Sequence, residues 1–414
     1  MKRILILFIA MLMLCSCSSG KVSESGDMQL EMLTRGSAGL PRYNSFTDDG
    51  YYEIIDRVSV GGRNIMYTDF ATCKQIYLCN RPECYHNDES CPSYFPGNYT
   101  SVFPFIDKSG TKLLCYVTYM DEEYNSMFQL LSMNLDGSER KLVCELGADV
   151  VNIGHVVASD DKIYSMVSQP NFIKREVEQK LISIDLSTGE KKELYTFDNR
   201  EQIMSAHGSK IYLIDYGGDA DTIIEALDLS TGEKKKVYSY TPYRTENMVS
   251  ALGAIGYENF IYVVNTEKDT YEKINLDTGE SRTLTTSFSK HINPKNSLYQ
   301  VDVLDGHIFV QNASKMDANG NFDDHWYAID MQTGDIIEQD IEYYQFKERR
   351  VAYPIARFKD SMLIAYDMEN VTITIYGPGN TPYEVESPVY KYGIISKSDF
   401  YNNIKNIQPV ESAV

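Results

Sequence analysis

Two short motifs recur along this chain at a spacing close to fifty residues, and that period limits its fold more than any other feature. The first motif is "SIDLSTGEKKEL" from Ser183, "ALDLSTGEKKKV" from Ala226, "KINLDTGESRTL" from Lys273 and "AIDMQTGDIIEQ" from Ala328, with a looser copy, "SMNLDGSERKLV", from Ser132. In each, alternating apolar residues lead into an Asp or Asn. A glycine then supplies the positive φ of a tight turn, and a charged residue opens the next strand. The second motif lies upstream of each turn: "NIMYTDF" from Asn64, "KLLCYVTY" from Lys112, "KIYSMVSQ" from Lys162, "KIYLIDYG" from Lys210, "FIYVVNTE" from Phe260, "HIFVQNAS" from His307 and "SMLIAYDM" from Ser361. Successive starts are 48, 50, 48, 50, 47 and 54 residues apart.

A unit of about fifty residues holding four strands is the signature of a β-propeller. One blade cannot cover both of its faces. Stacked around an axis, each blade covers its neighbours, and closing the ring protects the ends. Seven units fit between residue 50 and about 398, which predicts an all-β propeller of seven blades, each of four antiparallel strands. The irregular first and last units leave six or eight possible. A pair of β-sandwiches would not hold two markers at near-constant spacing. The strands "GYYEIID" (50–56) and "YKYGIISKSDF" (390–400) are candidates for the closing seam.

The N-terminus carries an address. Lys2 and Arg3 precede the apolar run "ILILFIAMLML", too short to span a bilayer comfortably, so residues 1–16 read as a signal peptide. The run ends in "LCSC", and Leu14-Cys15-Ser16-Cys17 resembles the bacterial lipobox, which implies cleavage before Cys17 and diacylation of its sulfur. Residues 17–42, polar and rich in Gly and Ser after the lipid-bearing cysteine, read as a flexible tether, and residues 43–414 as a single propeller domain. Two or more acyl chains anchor a protein stably. Loss of Lys2 and Arg3 moves the formal charge from −20 to −22, which excludes nucleic acid and anionic lipid headgroups as partners. The expected location is the extracytoplasmic face of a membrane, and the expected state a monomer.

The stretch "LCNRPECYHNDESC" (78–91) gathers three cysteines and a histidine. A c-type haem needs C-x-x-C-H, and the spacing here is C-x4-C-x-H, which excludes it. Cys79, Cys84, His86 and Cys91 supply the four N/S donors of a tetrahedral zinc, with Pro82 stiffening the first loop. Outside the membrane, disulfides are equally permitted. Setting Cys17 aside, the six cysteines Cys73, Cys79, Cys84, Cys91, Cys115 and Cys144 allow fifteen pairings, so zinc and disulfide both stand at this point. Either role is structural, and the knot falls in the connection between the first and second blades.

With these residues in view, the chain resembles the uncharacterised β-propeller lipoproteins of clostridia and other Firmicutes. Those combine a lipobox, a first blade ending in a "YLC-x-x-P-x-C-x-H-x-x-x-x-C" motif, TGE-type hairpins and an "ISK-x-D-(Y/F)" ending. Here "YLCNRPECYHNDESC" and "IISKSDFYNN" match. The resemblance spans nearly the whole mature chain and is looser to propellers of the low-density-lipoprotein-receptor and TolB types. It implies the fold, a surface address and a Gram-positive source, and no reaction.

Other motifs carry little. "DANGNFDD" offers Asp317, Asn319, Asn321 and Asp323 at alternate positions, but its glycine is misplaced for a calcium loop, and an Asn-Gly hairpin accounts for it. There is no G-x-S-x-G, H-E-x-x-H or phosphate loop. A lone His155, His207 or His291 reads as structural. "EYYQFKERR" (342–350) sets aromatics beside basic residues and reads as solvated blade edge. The expected function is therefore a membrane-anchored module that binds a protein, peptide or glycan through one rim. The rival is a glycan hydrolase or lyase with carboxylates in the central channel. The channel decides between them: convergent acids favour the enzyme, and a plugged channel favours binding.

Overall fold

The computed structural model describes residues 28–413 except for 37–41, 58–60, 124, 149, 151, 172–175, 199, 216–220, 242–243, 246–247, 250–253, 294–295, 314–323, 346–347 and 377–381. Seven antiparallel sheets follow one another around a ring, which makes the chain a seven-bladed β-propeller. Blades two to seven each count four strands outward from the axis. Blade four, for example, runs Glu201–His207, Lys210–Asp215, Thr222–Asp228 and Glu233–Tyr240.

The second motif is the second strand of blades two to seven. Its second and third residues are Leu113/Leu114, Ile163/Tyr164, Ile211/Tyr212, Ile261/Tyr262, Ile308/Phe309 and Met362/Leu363, and none is more than 1% exposed. Adjacent residues of a strand face opposite ways, so this strand is apolar on both faces because a blade lies on each side of it. The third residue of one blade packs with the second residue of the next: Tyr164 joins Ile211 in one cluster, and Tyr212 joins Ile261 in another. The first motif is the hairpin between third and fourth strands. Asp185 Oδ1 accepts the N–H groups of Ser187 and Thr188 at 2.9 and 2.8 Å, and Gly189 follows at φ +74°. Asn275 and Asp330 repeat the device on residues 277–278 and 332–333. A Cβ at Gly189 would come within 2.1 Å of the Val143 carbonyl oxygen of the preceding blade, so the glycine serves packing as well as turn geometry.

The first blade departs from the pattern. Residues 45–47 fold back on Gly50–Arg57 through Thr47 N–H to Gly50 O and Tyr52 N–H to Ser45 O, both 2.8 Å. "NIMYTDF" is therefore the third strand from the axis in this blade, although it is the second elsewhere. On the outside, Glu411–Ser412 pairs in parallel with Lys74–Tyr77, immediately after Gln408–Pro409 has paired with the third strand of blade seven. The backbone pairing that closes the ring is made by residues 408–412, while 50–56 and 390–396 meet across the seam through side chains. Residues 390–396 belong to that third strand of blade seven, and "SKSDF" begins the helix Lys397–Tyr401, capped by Ser396.

A half-buried carboxylate sits at this seam. Glu53 accepts the Tyr392 hydroxyl of blade seven at 2.7 Å and the Gln75 amide, and Gln75 in turn accepts the Ser412 hydroxyl at 2.8 Å. Burial pushes the Glu53 pKa from 4.5 to about 7, against hydrogen bonds that lower it. A raised folded-state value means the folded form holds the proton more tightly than the unfolded chain. That contribution is intact below about pH 4.5 and is lost as the pH rises to about 7. At about 1.4 kcal/mol per pKa unit the loss is on the order of 3 kcal/mol. Glu53→Gln, neutral throughout, is expected to flatten the pH dependence of urea unfolding across this window. Parallel profiles for the two proteins would contradict the assignment.

Candidate metal centre and the occupied channel

The cysteine–histidine stretch does not link two blades. It interrupts one strand. Lys74–Tyr77 pairs with residues 66–69 of Gly62–Asp69, and Tyr94–Pro96 pairs with residues 62–64 of that same strand. Between them, Ile65 bonds both sides of the break: its carbonyl accepts Leu78 N–H at 3.0 Å and its N–H donates to Ser93 O at 2.9 Å. The outer strand is therefore continuous in its hydrogen bonds, and residues 79–92 loop out of it. This corrects the expected position between blades one and two. The sequence signal was present, since "KQIYL" and "SYF" are the two halves of one strand pattern.

The loop folds into two turns, with Cys84 N–H on Arg81 O at 3.2 Å and Cys91 N–H on Asp88 O at 3.0 Å, so that a cysteine ends each. Asp88 Oδ1 accepts Ser90 N–H, and Arg81 reaches the Ser90 carbonyl, tying the turns together. The ligand atoms of Cys79, Cys84, His86 and Cys91 all lie within 4.8 Å of one another, and His86 Nδ1 is 3.4 Å from Cys91 Sγ. A tetrahedral zinc with bonds of about 2.3 Å to sulfur and about 2.0–2.1 Å to nitrogen needs donor–donor edges of roughly 3.4–3.8 Å. All six described thiols are free. The donor set can therefore hold a metal ion, and no exposed carboxylate belongs to it: Asp88 and Glu89 stand outside.

Supporting groups come from the interrupted sheet. Asn64, fully buried, donates to the His86 carbonyl at 3.1 Å and to Ser93 Oγ at 2.9 Å, and Ser93 Oγ is 3.2 Å from Cys91 Sγ. The Tyr77 ring stacks on the His86 imidazole at 4.2 Å and 16°, which fixes the ring plane while the His86 backbone sits at φ +56°. Burial pushes the Cys79 thiol up to about 11. The Cys84 thiol is held below its ordinary value, because hydrogen bonds from His86 N–H and the other two thiols outweigh its burial. None of Asn64, Tyr77 or Ser93 stands out in the sequence, because each looks like an ordinary strand residue.

The central channel is occupied by the protein's own N-terminal segment. Glu31–Met32 pairs antiparallel with residues 157–158 of Asn152–Ala158, the inner strand of blade three, and Thr34–Arg35 pairs with Arg42–Tyr43. Residues 28–36, read from sequence as tether, are thus part of the fold. The alternation of Met28, Leu30 and Met32 within an otherwise polar stretch was the available signal. Leu30 and Leu33 are buried, and Thr34 Oγ1 lies 2.9 Å from Nδ1 of the buried His155, which is structural as expected. Arg35 reaches the fully buried Asp302 of blade six at 3.5 Å and the Ile355 carbonyl of blade seven. Tyr353 donates its hydroxyl to Asp302 at 2.5 Å, and the Arg42 guanidinium covers the Tyr353 ring at 4.3 Å.

This segment starts at the face that carries the short turns. Leu30 N–H bonds Gly208 O, and Lys108 Nζ bonds the Gln29 carbonyl at 2.7 Å; both partners lie in turns between first and second strands. A cavity of about 970 Å³ opens there, lined by Glu31, Lys108, His207, Tyr257 and Arg357 among others. Because strands alternate in direction, the second-to-third turns and the links between blades share the opposite face, which bears the longer connections, including 241–253, 287–296 and 340–352. Cys17 and the acidic and amide side chains of 317–323 lie outside the described residues.

No family model and no curated protein matches the chain. Solved structures do. A prolyl endopeptidase aligns at TM-score 0.50 and 8% identity over 89% of this chain, which spans 55% of that enzyme. The β-propeller domain of the Trilobed protease from Pyrococcus furiosus aligns at TM-score 0.42 and 12% identity, covering 75% of this chain and 83% of that one. An oligogalacturonate lyase in complex with manganese gives TM-score 0.43 and 13% identity, covering 69% and 75%. The likeness is one of fold.

Proposed function

We propose that the chain is a lipid-anchored extracytoplasmic β-propeller that presents a binding surface for a protein, peptide or glycan, with Cys17 as the acylated residue and a structural zinc at Cys79, Cys84, His86 and Cys91. The occupied channel carries this reading. Propeller enzymes of the glycan-cleaving type would need convergent acids in an open channel. Here the inner-strand acid Asp302 is buried and engaged with Arg35 of the inserted segment and with Tyr353 of blade seven. The segment leads out through the short-turn face, so an anchor at Cys17 would sit on that side and leave the longer connections pointing away from the membrane. Long loops on a rigid ring are where binding residues concentrate. The protein works as a monomer on this reading, without nucleic acid.

The test has three measurements on the full chain. Metabolic labelling with an alkyne fatty acid is expected to mark the wild type and not Cys17→Ser. Crosslinked pull-down from membranes is expected to recover a partner, and a polysaccharide panel is expected to show no turnover. Turnover of a polysaccharide without a recovered partner would replace this reading with the hydrolase or lyase.

A further inference from the structure

Among the described residues, blade seven carries an arm that the other blades do not show. Its second and third strands, Ser361–Tyr376 and Pro382–Ser396, stay paired from Ser361↔Ser396 to Tyr376↔Pro382, whereas the inner strand Tyr353–Phe358 reaches only to Ala365. Residues 367–376 therefore project as one side of a two-stranded ribbon about 33 Å long at 3.3 Å per residue. Their outer edge makes no backbone hydrogen bond among the described residues.

The two edges of the ribbon are built differently. Residues 382–391 contain Pro382 and Pro388, which lack the N–H a pairing strand would need, and prolines and charges are how exposed edges are kept from pairing. Residues 367–376 contain no proline, and the run Val371–Tyr376, "VTITIY", is β-branched or aromatic throughout, the composition that favours pairing. One edge is blocked and the other is left open.

The root of the open edge adjoins an aromatic cleft of about 660 Å³. It lies between the arm and the small hairpin Glu342–Gln345/Glu348–Val351, and Tyr343, Tyr344 and Tyr366 line it. Four of the ten exposed large apolar side chains among the described residues belong to this neighbourhood: Tyr344, Val389, Tyr390 and Ile404. The cleft's carboxylates are already matched, Asp340 and Glu342 by Arg349 and Asp367 by Lys391. The first three residues of "EYYQFKERR", Glu342, Tyr343 and Tyr344, thus line this cleft.

We propose that the edge of residues 367–376 is a docking edge for an extended peptide segment of a partner protein, which adds a strand to the arm and seats one apolar side chain in the tyrosine cleft. The complement of an open strand edge is another strand, which selects a peptide over a glycan. Asp367 and Glu369 share one cation, Lys391, on a chain of net charge −20, so the segment is neutral or basic and a second copy of this chain is disfavoured. This inference rests on the binding-module reading and names its partner class.

The experiment pans a phage-displayed library of peptides about twelve residues long on the full chain, then follows backbone hydrogen exchange with a selected peptide bound. Exchange is expected to slow at 367–376 and not at 382–391, and Tyr344→Ala is expected to weaken the peptide about tenfold or more with unfolding unchanged. Absence of any selected peptide, or peptides that protect another face, overturns the docking edge; in the latter case the binding module itself stands. Protection of 367–376 that rises with protein concentration alone, without peptide, overturns it in favour of self-association.

Discussion

Removing the zinc proposed for the Cys79–Cys84–His86–Cys91 donor set is expected to destabilise the chain by about 4 kcal/mol when measured against free zinc at about a thousand times its dissociation constant. The local reason is the position of the loop inside a strand. With the four donors released, nothing covalent or coordinate holds residue 79 near residue 91, and the Leu78 and Ser93 bonds to Ile65, with the Asn64 and Arg81 contacts, must close the loop by hydrogen bonding alone. The effect should therefore be visible residue by residue: the Leu78 and Ile65 amides lose exchange protection on chelation, while the hairpins of blades four to six keep theirs. Native mass spectrometry is expected to show one zinc per chain, absent in Cys91→Ser, and cobalt is expected to give the absorption of a tetrahedral thiolate site. Masses lower by two hydrogens per cysteine pair, unchanged by chelator, would instead establish disulfides.

The second large effect concerns the inserted segment. Asp302→Ala is expected to cost about 3–5 kcal/mol in urea unfolding, the range found when one member of a buried ion pair is removed. Among the described residues Asp302 supplies the carboxylate that pairs with Arg35, whose Nε and Nη1 atoms already lack hydrogen bonds. Deleting the acid strands that charge beside Arg42, its cross-strand neighbour. Replacing both partners, Arg35→Met with Asp302→Leu, is expected to recover most of the loss, because no uncompensated charge remains. Limited proteolysis separates local from global damage: in Asp302→Ala, cleavage near residues 28–46 should precede cleavage within the blades. A single variant within about 1 kcal/mol of wild type would show that the pair does not hold the segment.

The repeat made the ring legible because each unit writes its own burial twice, once in a second strand apolar on both faces and once in an Asp-or-Asn-to-Gly turn. Leu113/Leu114 through Met362/Leu363 could be named from spacing alone. What stayed hidden depends on contacts between distant parts of the chain. Arg35 meets residues near 302 and 355, and Glu53 meets Tyr392, and no local pattern encodes such separations. The donor set of the candidate metal centre was legible because Cys and His are chemically distinctive. Its setting was not, because a strand broken by fourteen residues reads as two short strands and a loop. The first blade's shifted register escaped for a related reason: residues 45–47 are too few to leave an alternation.

The inserted N-terminal segment also constrains how the molecule can form. Residues 28–36 are made well before their partners at Val156, Gly208, Asp302 and Ile355, which follow by about 120 to 320 residues. The first blade waits longer still, for Glu411 and Ser412 at the far end. The inserted segment and the first blade are therefore late to be completed, and contacts of such long sequence separation slow folding. A nascent chain that has made only its first blades leaves the apolar faces beside Leu30 and Leu33 uncovered. Residues 411–412 must be made before the axis and the rim can be sealed together, so a product truncated ahead of them is exposed at both at once.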